Sequence, residues 1–207
     1  SGKIATRLGN GLAPLEPGET DTVIIAGMGG DLICKILKAK PEFLIEGKEF
    51  ILQPQSEWFK VRRLLKEYHY QIEKEWFLKE DGKYYVIIKA EPAWTQPQRL
   101  KHQQPSIHEY IKEISETPAN QAVSEKDMES IYEQYGKYLI ETKNPVLKEY
   151  LKKEITKKES IAAELKQSIK EMESEELSGK ERGNIAKRQR RYQEIQKEIR
   201  DMRKAIG

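Results

Sequence analysis

The run Thr22-Val23-Ile24-Ile25-Ala26 followed by Gly27-Met28-Gly29-Gly30 constrains this chain more than any other stretch. Five successive apolar or β-branched residues predict a strand buried on both faces, as in a parallel sheet. The glycines then end it, because they adopt backbone conformations that other residues resist. Leu32, Ile33, Ile36 and Leu37 recur at helical spacing behind Asp31, with Lys38 and Lys40 at the far end, an arrangement that complements the helix dipole. Strand, glycine turn and helix form a βα unit, and such a unit argues for an α/β sheet.

The unit repeats. Phe50–Leu52 predicts a short strand, Gln53-Pro54-Gln55 interrupts it, and Trp58, Val61, Leu64 and Leu65 set the next helix. The pattern then changes. Ile72, Lys74, Trp76 and Leu78 fall on alternate positions, Asp81-Gly82 is a hairpin turn, and Tyr84–Ala90 is a second strand. A doubly wound sheet that finishes in an antiparallel hairpin is therefore expected. From Glu91 to Pro105 three prolines and four glutamines predict a loop leaving the domain, which places the first domain at residues 1–105.

Residues 106–207 read as a helical region. Leu147, Leu151, Ile155, Ala162, Leu165, Ile169 and Met172 form one apolar series, and Ile185, Tyr192, Ile195, Ile199, Met202 and Ile206 a second. The 3–4 alternation in the second marks a coiled-coil seam. With Ser178-Gly179-Lys180 and Gly183 as a turn, an antiparallel hairpin over about 145–206 is expected. Lys158 and Arg188 fall on the seam, where both are expected to snorkel. Charge divides the chain at the same place: residues 1–140 carry 19 basic and 21 acidic groups, and residues 141–207 carry 18 and 13. A basic helical segment on a neutral domain points to a polyanion partner. The single Cys34 excludes a disulfide framework and suits a reducing cytoplasm, and no apolar stretch reaches the length of a membrane span.

Three turns stand where chemistry could occur. Ala26-Gly27-Met28-Gly29-Gly30 lets a ligand approach the backbone and precedes a helix with free N–H groups, although the same glycines also suit a plain tight turn. Leu32 replaces the third glycine of a dinucleotide fingerprint, so neither that motif nor a P-loop is present. Gln53-Pro54-Gln55 presents two amides, each with donor and acceptor for a nucleobase edge, or else simply ends a strand. Gly9-Asn10-Gly11-Leu12 is a third turn. His69, His102 and His108 have no metal-ligand spacing with one another or with Cys34, so no metal site is expected, and His69 reads as a helix-end residue. Lys187-Arg188-Gln189-Arg190-Arg191 is the densest basic run, either a solvated helix face or a phosphate contact.

Taken in order, these stretches resemble one family. Gly9-Asn10-Gly11-Leu12 with Pro17-Gly18-Glu19, Ile25–Gly30 with Leu32-Ile33, Ile51–Gln55, and Glu80-Asp81-Gly82-Lys83-Tyr84-Tyr85 are similar to the bacterial tRNA (adenine-22-N1)-methyltransferases. Tyr135-Gly136-Lys137-Tyr138-Leu139 and Lys143-Asn144 continue the resemblance, where the family passes into a helical coiled-coil domain. The resemblance implies an S-adenosylmethionine-dependent enzyme that methylates adenine N1 of tRNA in the cytoplasm. Its fold would be a class I, Rossmann-like methyltransferase sheet followed by an all-α coiled-coil hairpin. By that likeness Gly9, Asn10, Gly11 and Leu12 border the cofactor's adenosine, and Ala26, Gly27 and Met28 its methionine and sulfonium. Gly29, Gly30, Gln53, Pro54 and Gln55 would face the base, and Lys187, Arg188, Arg190 and Arg191 would hold the tRNA backbone.

The resemblance starts at Lys3, in the family's third strand, between which and Thr22–Ala26 the family places two further strands with the cofactor loop and a ribose-binding acid. The chain is thus expected to be an N-terminally truncated member that binds S-adenosylmethionine poorly, with Ile4–Leu8 and Thr22–Ala26 as separated strands. The family implies a monomer, whereas an exposed apolar edge on Thr22–Ala26 makes oligomers of the truncated chain an open alternative. A non-catalytic RNA-binding module and a coiled-coil interaction protein remain as other functional readings.

Overall fold

The computed structural model describes residues 4–93, 119–173 and 179–207. His102 and His108, most of the proline- and glutamine-rich stretch, and Ser178 lie outside them. Two compact units divide the chain, residues 1–139 and 140–207.

In the first unit the opening βα pattern forms β1 (Thr22–Met28) and α1 (Gly30–Ala39), followed by the short α2 (Glu42–Ile45). The second unit of the pattern forms β2 (Glu49–Pro54) and α3 (Trp58–Glu67). β3 (Tyr70–Glu80) and β4 (Lys83–Pro92) make the hairpin, and both turn residues, Asp81 and Gly82, have positive φ, as a two-residue hairpin turn requires. The sheet order is β1-β2-β4-β3, with β1 and β2 parallel and the other pairings antiparallel. α4 (Ala119–Tyr135) and α5 (Lys137–Glu141) follow.

The core lies on one face of this sheet. Val23 and Ile25, Phe50 and Leu52, and Val86, Ile88 and Ala90 come into register and are buried, together with Ile33 and Leu37 of α1 and Val61, Leu64 and Leu65 of α3. Each such aliphatic or aromatic side chain contributes about 1.5–3 kcal/mol. Trp58 meets Phe77 edge-on at 5.4 Å and Phe50 meets Tyr70 at 5.0 Å, which ties α3 and β3 into the same layer.

Two expectations for β1 change. It is not buried on both faces: Val23 and Ile25 are buried on the face that α1 meets, and Ile24 on the other is 68% exposed. Nor do residues 4–8 form a strand: Ile4 and Leu8 are fully exposed, and residues 4–8 pair with no strand of the described sheet. Arg7 instead grips the Glu19 carboxylate at 2.5 and 2.8 Å and donates to the Pro14 carbonyl.

α4 belongs to the sheet unit. Its buried Ile131 and Tyr135 are joined by exposed pairs from α3, Arg63–Glu133 at 3.0 Å and Lys66–Glu129. Between them, Arg62 of α3 and Glu75 of β3 form an ion pair with both side chains almost wholly buried. Burial pushes the Glu75 carboxyl up, and Arg62 pulls it back.

In the second unit α6 (Pro145–Glu173) and α7 (Gly179–Ile206) run antiparallel. Arg203 reaches Glu159 at 2.6 Å, Lys158 reaches Glu198, and Arg188 reaches Ser168, so high numbers on one helix meet low numbers on the other. The Asn144 side chain caps α6 by accepting from the N–H groups of Val146 and Leu147 at 3.0 Å, with Pro145 as the first helical residue. Leu147, Leu151, Ile155 and Ala162 are buried on one helix, and Ile185, Ile195, Ile199, Met202 and Ala205 on the other. Gly179 and Gly183 lie within α7, so they do not form the turn expected of them, and Ser178 lies outside the described residues.

Candidate functional site

The C-terminal ends of β1 and β2 are side by side, and their two βα turns are stitched together. Gln55 N–H donates to the Met28 carbonyl at 2.9 Å, and Gly30 N–H donates to the Ser56 carbonyl at 2.9 Å. Gly27 N–H donates to Oε1 of Gln53 at 2.7 Å, and Asp31 N–H to Oε2 of Glu57 at 3.3 Å. Glycine is required at two of these positions for different reasons. Gly27 has φ +78 and breaks the β1–β2 register as a bulge, with open space where a Cβ would stand. A Cβ on Gly30 would lie 2.6 Å from the Glu57 carbonyl oxygen and 2.7 Å from that of Ser56. The close approach of two backbones, not turn geometry, demands that glycine.

Two chemical consequences follow. First, α1 does not offer its first N–H groups to a ligand, contrary to the sequence reading. Gly30 donates to Ser56, and Glu57, itself held at φ +52, places a carboxylate against Asp31 N–H. Glu57 also holds Lys60 at 2.5 Å, and Lys60 bridges to Asp31 at 3.0 Å. Lys35 first and Lys60 second keep the Asp31 carboxyl below its usual range, and Glu57 with Asp31 raises Lys60. This corner is closed to phosphate by a resident carboxylate. Second, Gln53 does not present a free donor–acceptor pair. Its Oε1 is committed to Gly27, which leaves Nε2 as a buried donor with no partner among the described residues. Pro54 is buried, and Gln55 is exposed beside it.

Ala26, Gly27 and Met28 are exposed along the outer end of β1 and carry no charge. Gly9–Leu12 stand elsewhere. Gly11, at φ +56, packs against Ile36, six residues into α1, and Leu12 is buried. Six residues of helix rise about 9 Å, and no described hydrogen bond links Gly9–Leu12 to Gly27–Gly30. The two groups expected to share one cofactor are thus not brought together by a direct contact.

The basic run on α7 is sorted by its neighbours. Arg188 bonds Ser168 across the helical pair, and Arg191 binds Glu194 at 3.1 Å and Glu198 at 3.3 Å. Lys187 and Arg190 are exposed without an ion pair among the described residues, and so are Arg182 and Arg200. Arg182, Arg190, Lys197 and Arg200 follow at intervals of 8, 7 and 3 residues, within one sector of roughly 80° on the side away from Ile195. Arg182 and Arg200 were missed because they lie outside the dense run; helical periodicity applied to the charges would have found them. Glu57 carried no sequence signal beyond its place ahead of α3.

Among the described residues no group of three His, Cys, Asp or Glu could hold a metal ion, and no helix is long and apolar enough to cross a membrane. Parallel strands joined through glycine-containing βα turns, with an antiparallel hairpin completing the sheet, make a Rossmann-like α/β fold. A solved structure from Streptococcus agalactiae described as belonging to the NADB-Rossmann superfamily overlays on 97% of this chain and 67% of its own, with TM-score 0.59 and 21% identity. Residues 1–126 match the family tRNA (adenine(22)-N(1))-methyltransferase, TrmK, and the chain belongs to that family.

The tRNA (adenine(22)-N(1))-methyltransferase of Bacillus subtilis is 41% identical over 88 residues, which cover 42% of this chain and 37% of that protein. The matched stretch thus spans little more than a third of that relative. The crystal structure of the B. subtilis M1A22 tRNA methyltransferase TrmK shares the fold at TM-score 0.63 and 23% identity, over 97% of this chain and 69% of that one. The structure of TrmK from M. capricolum, solved with S-adenosyl-homocysteine, does so at TM-score 0.57 and 20% identity, over 97% and 67%.

Proposed function

We propose that this chain carries the base-facing turns and the RNA-holding helices of an S-adenosylmethionine-dependent tRNA adenine-N1 methyltransferase acting in the cytoplasm. The stitched double turn at the ends of β1 and β2 supports this reading most directly: it is open, uncharged along Ala26–Met28, and closed to phosphate by Glu57. When bound, S-adenosylmethionine supplies an electrophilic methyl group. Adenine N1 already has a lone pair, so the protein needs to align and desolvate the base without abstracting a proton. Gln53 holds the Gly27 peptide in place through Oε1, which fixes the turn that would face the base. N1 lies on the pairing edge, so the target nucleotide must be unpaired or extruded.

The outer sector of α7 supports the RNA partner. Arg182, Arg190 and Arg200, with Lys187 beside them, are the cations that phosphates can reach without breaking an existing pair. Arg188 and Arg191 are engaged. Binding of unmodified tRNA should weaken steeply with salt, and Arg190→Gln or Arg200→Gln should each lower the log–log slope by about 1. Arg188→Gln should change it less. Affinity that is independent of salt would refute the assignment. Transfer is read with labelled S-adenosylmethionine at saturation, and label on any nucleoside other than N1-methyladenosine would overturn the reaction. Because Gly9–Leu12 pack on Ile36, cofactor binding by this chain should be weak, and micromolar affinity by calorimetry would contradict that placement.

A further inference from the structure

The side chain of Arg62 does more than neutralise Glu75. Its Nε donates to Glu75 Oε1 at 2.7 Å, and its Nη1 donates to the carbonyls of Glu133 at 3.0 Å and Gln134 at 2.9 Å. Those carbonyls belong to the last turn of α4, whose final C=O groups have no partner within the helix. Gly136 ends the helix at φ +89, with its N–H on the Tyr132 carbonyl at 2.8 Å. A Cβ there would lie 2.4 Å from Glu75 Oε2 and 2.9 Å from Arg62 Nη2. The end of α4 therefore closes directly over the ion pair, and only a glycine fits between them.

Two atoms of the pair, Arg62 Nη2 and Glu75 Oε2, are buried and have no hydrogen-bond partner among the described residues. Half-satisfied buried charge is expensive, and water reaching it would recover part of that cost. α4 holds the water out. Beside this contact Ile131 and Tyr135 are buried, and Arg63–Glu133 and Lys66–Glu129 pair at the surface, where such pairs contribute little. Arg62 is thus the buried cation that holds the end of the helix, over a site that gains hydration when the helix leaves.

We infer that α4 is a strap that opens and closes as a unit on the sheet, with Arg62 and Glu75 as its catch and Gly136 as the joint. This device is independent of the proposed methyl transfer.

Native-state hydrogen exchange on the whole chain tests it. In the unmodified protein the amides of residues 126–135 should exchange together, faster than those of β2 and β4, and with a smaller dependence on denaturant. Gly136→Ala should raise their exchange at least tenfold while β2 and β4 keep theirs, since two charge-assisted hydrogen bonds are disturbed. Arg62→Lys, which keeps the charge but cannot reach Glu75 and both carbonyls at once, should act in the same direction. The inference is overturned if α4 in the unmodified chain exchanges only with the sheet and with the same denaturant dependence. It is equally overturned if Gly136→Ala folds and leaves α4 exchange unchanged.

Discussion

Three neighbouring glycines should respond to alanine in an order that only the stitched turns explain. At Gly30 the added Cβ meets two backbone oxygens, at 2.6 and 2.7 Å, and neither belongs to a side chain that can rotate away. Relieving this contact pushes the β2–α3 turn outward, at about 1–3 kcal/mol for overpacking. It also lengthens the bond from Gly30 N–H to Ser56, worth about 0.5–1.5 kcal/mol. Together these predict a loss of about 2–4 kcal/mol. At Gly27 there is open space but φ is +78, so alanine should cost roughly 1–2 kcal/mol for the left-handed backbone alone. At Gly29 the backbone is ordinary, φ −63 and ψ 147, and the nearest atom is the rotatable Ser56 hydroxyl at 3.1 Å. That change should stay within about 1 kcal/mol of zero. Urea unfolding followed by tryptophan fluorescence is the assay, because all three tryptophans precede the helical pair in sequence and Trp58 and Trp76 stand on α3 and β3 of the sheet unit. If Gly30→Ala proved as mild as Gly29→Ala, the stitching of the two turns would be wrong.

Further outcomes concern other contacts. Gln53→Leu should expose the Gly27 amide to faster exchange by about tenfold, whereas Gln53→Glu, which keeps an acceptor, should protect it. The Arg7 guanidinium first, and the Glu16 N–H second, hold the Glu19 carboxyl down at about 2, against an ordinary 4.5. A lowered folded pKa means the tie contributes above the ordinary value and is lost as pH falls towards 2. Carbon-13 titration of Glu19 in Arg7→Gln should show the carboxyl returning upward, and an unmoved titration would remove Arg7 as the cause. Ile195 is buried in the helical pair, so Ile195→Ala should cost about 2–4 kcal/mol and lower the midpoint of helix melting by circular dichroism. Unchanged melting would mean that α6 and α7 do not pack through that seam.

The elements near each turn were legible because their signals are local. Asp81-Gly82 between alternating strands, and Leu32 to Leu37 behind a glycine turn, are one-dimensional patterns that the backbone follows. The candidate site was half legible. The two turns were found at 26–30 and 53–55, yet the hydrogen bonds between them join residues about 26 positions apart, and Glu57 entered the site only through them. Counting basic residues pointed to α7 but chose by density along the chain. Arg188 and Arg191 proved to have partners on α6 and along α7, while Arg182 and Arg200, on either side of the run, have no ion pair among the described residues.

By itself the sequence determined the α/β class, the hairpin that closes the sheet, the apolar seam of two long helices and the family, since each rests on residue order and short periods. Tertiary structure alone decided which face of β1 is buried, that α1 is capped by Glu57, and that Arg62 reads carbonyls 71 and 72 residues away. Those outcomes depend on which surfaces meet after the chain has turned back on itself. A periodic pattern marks a side chain as apolar or charged, and only the fold supplies its neighbour.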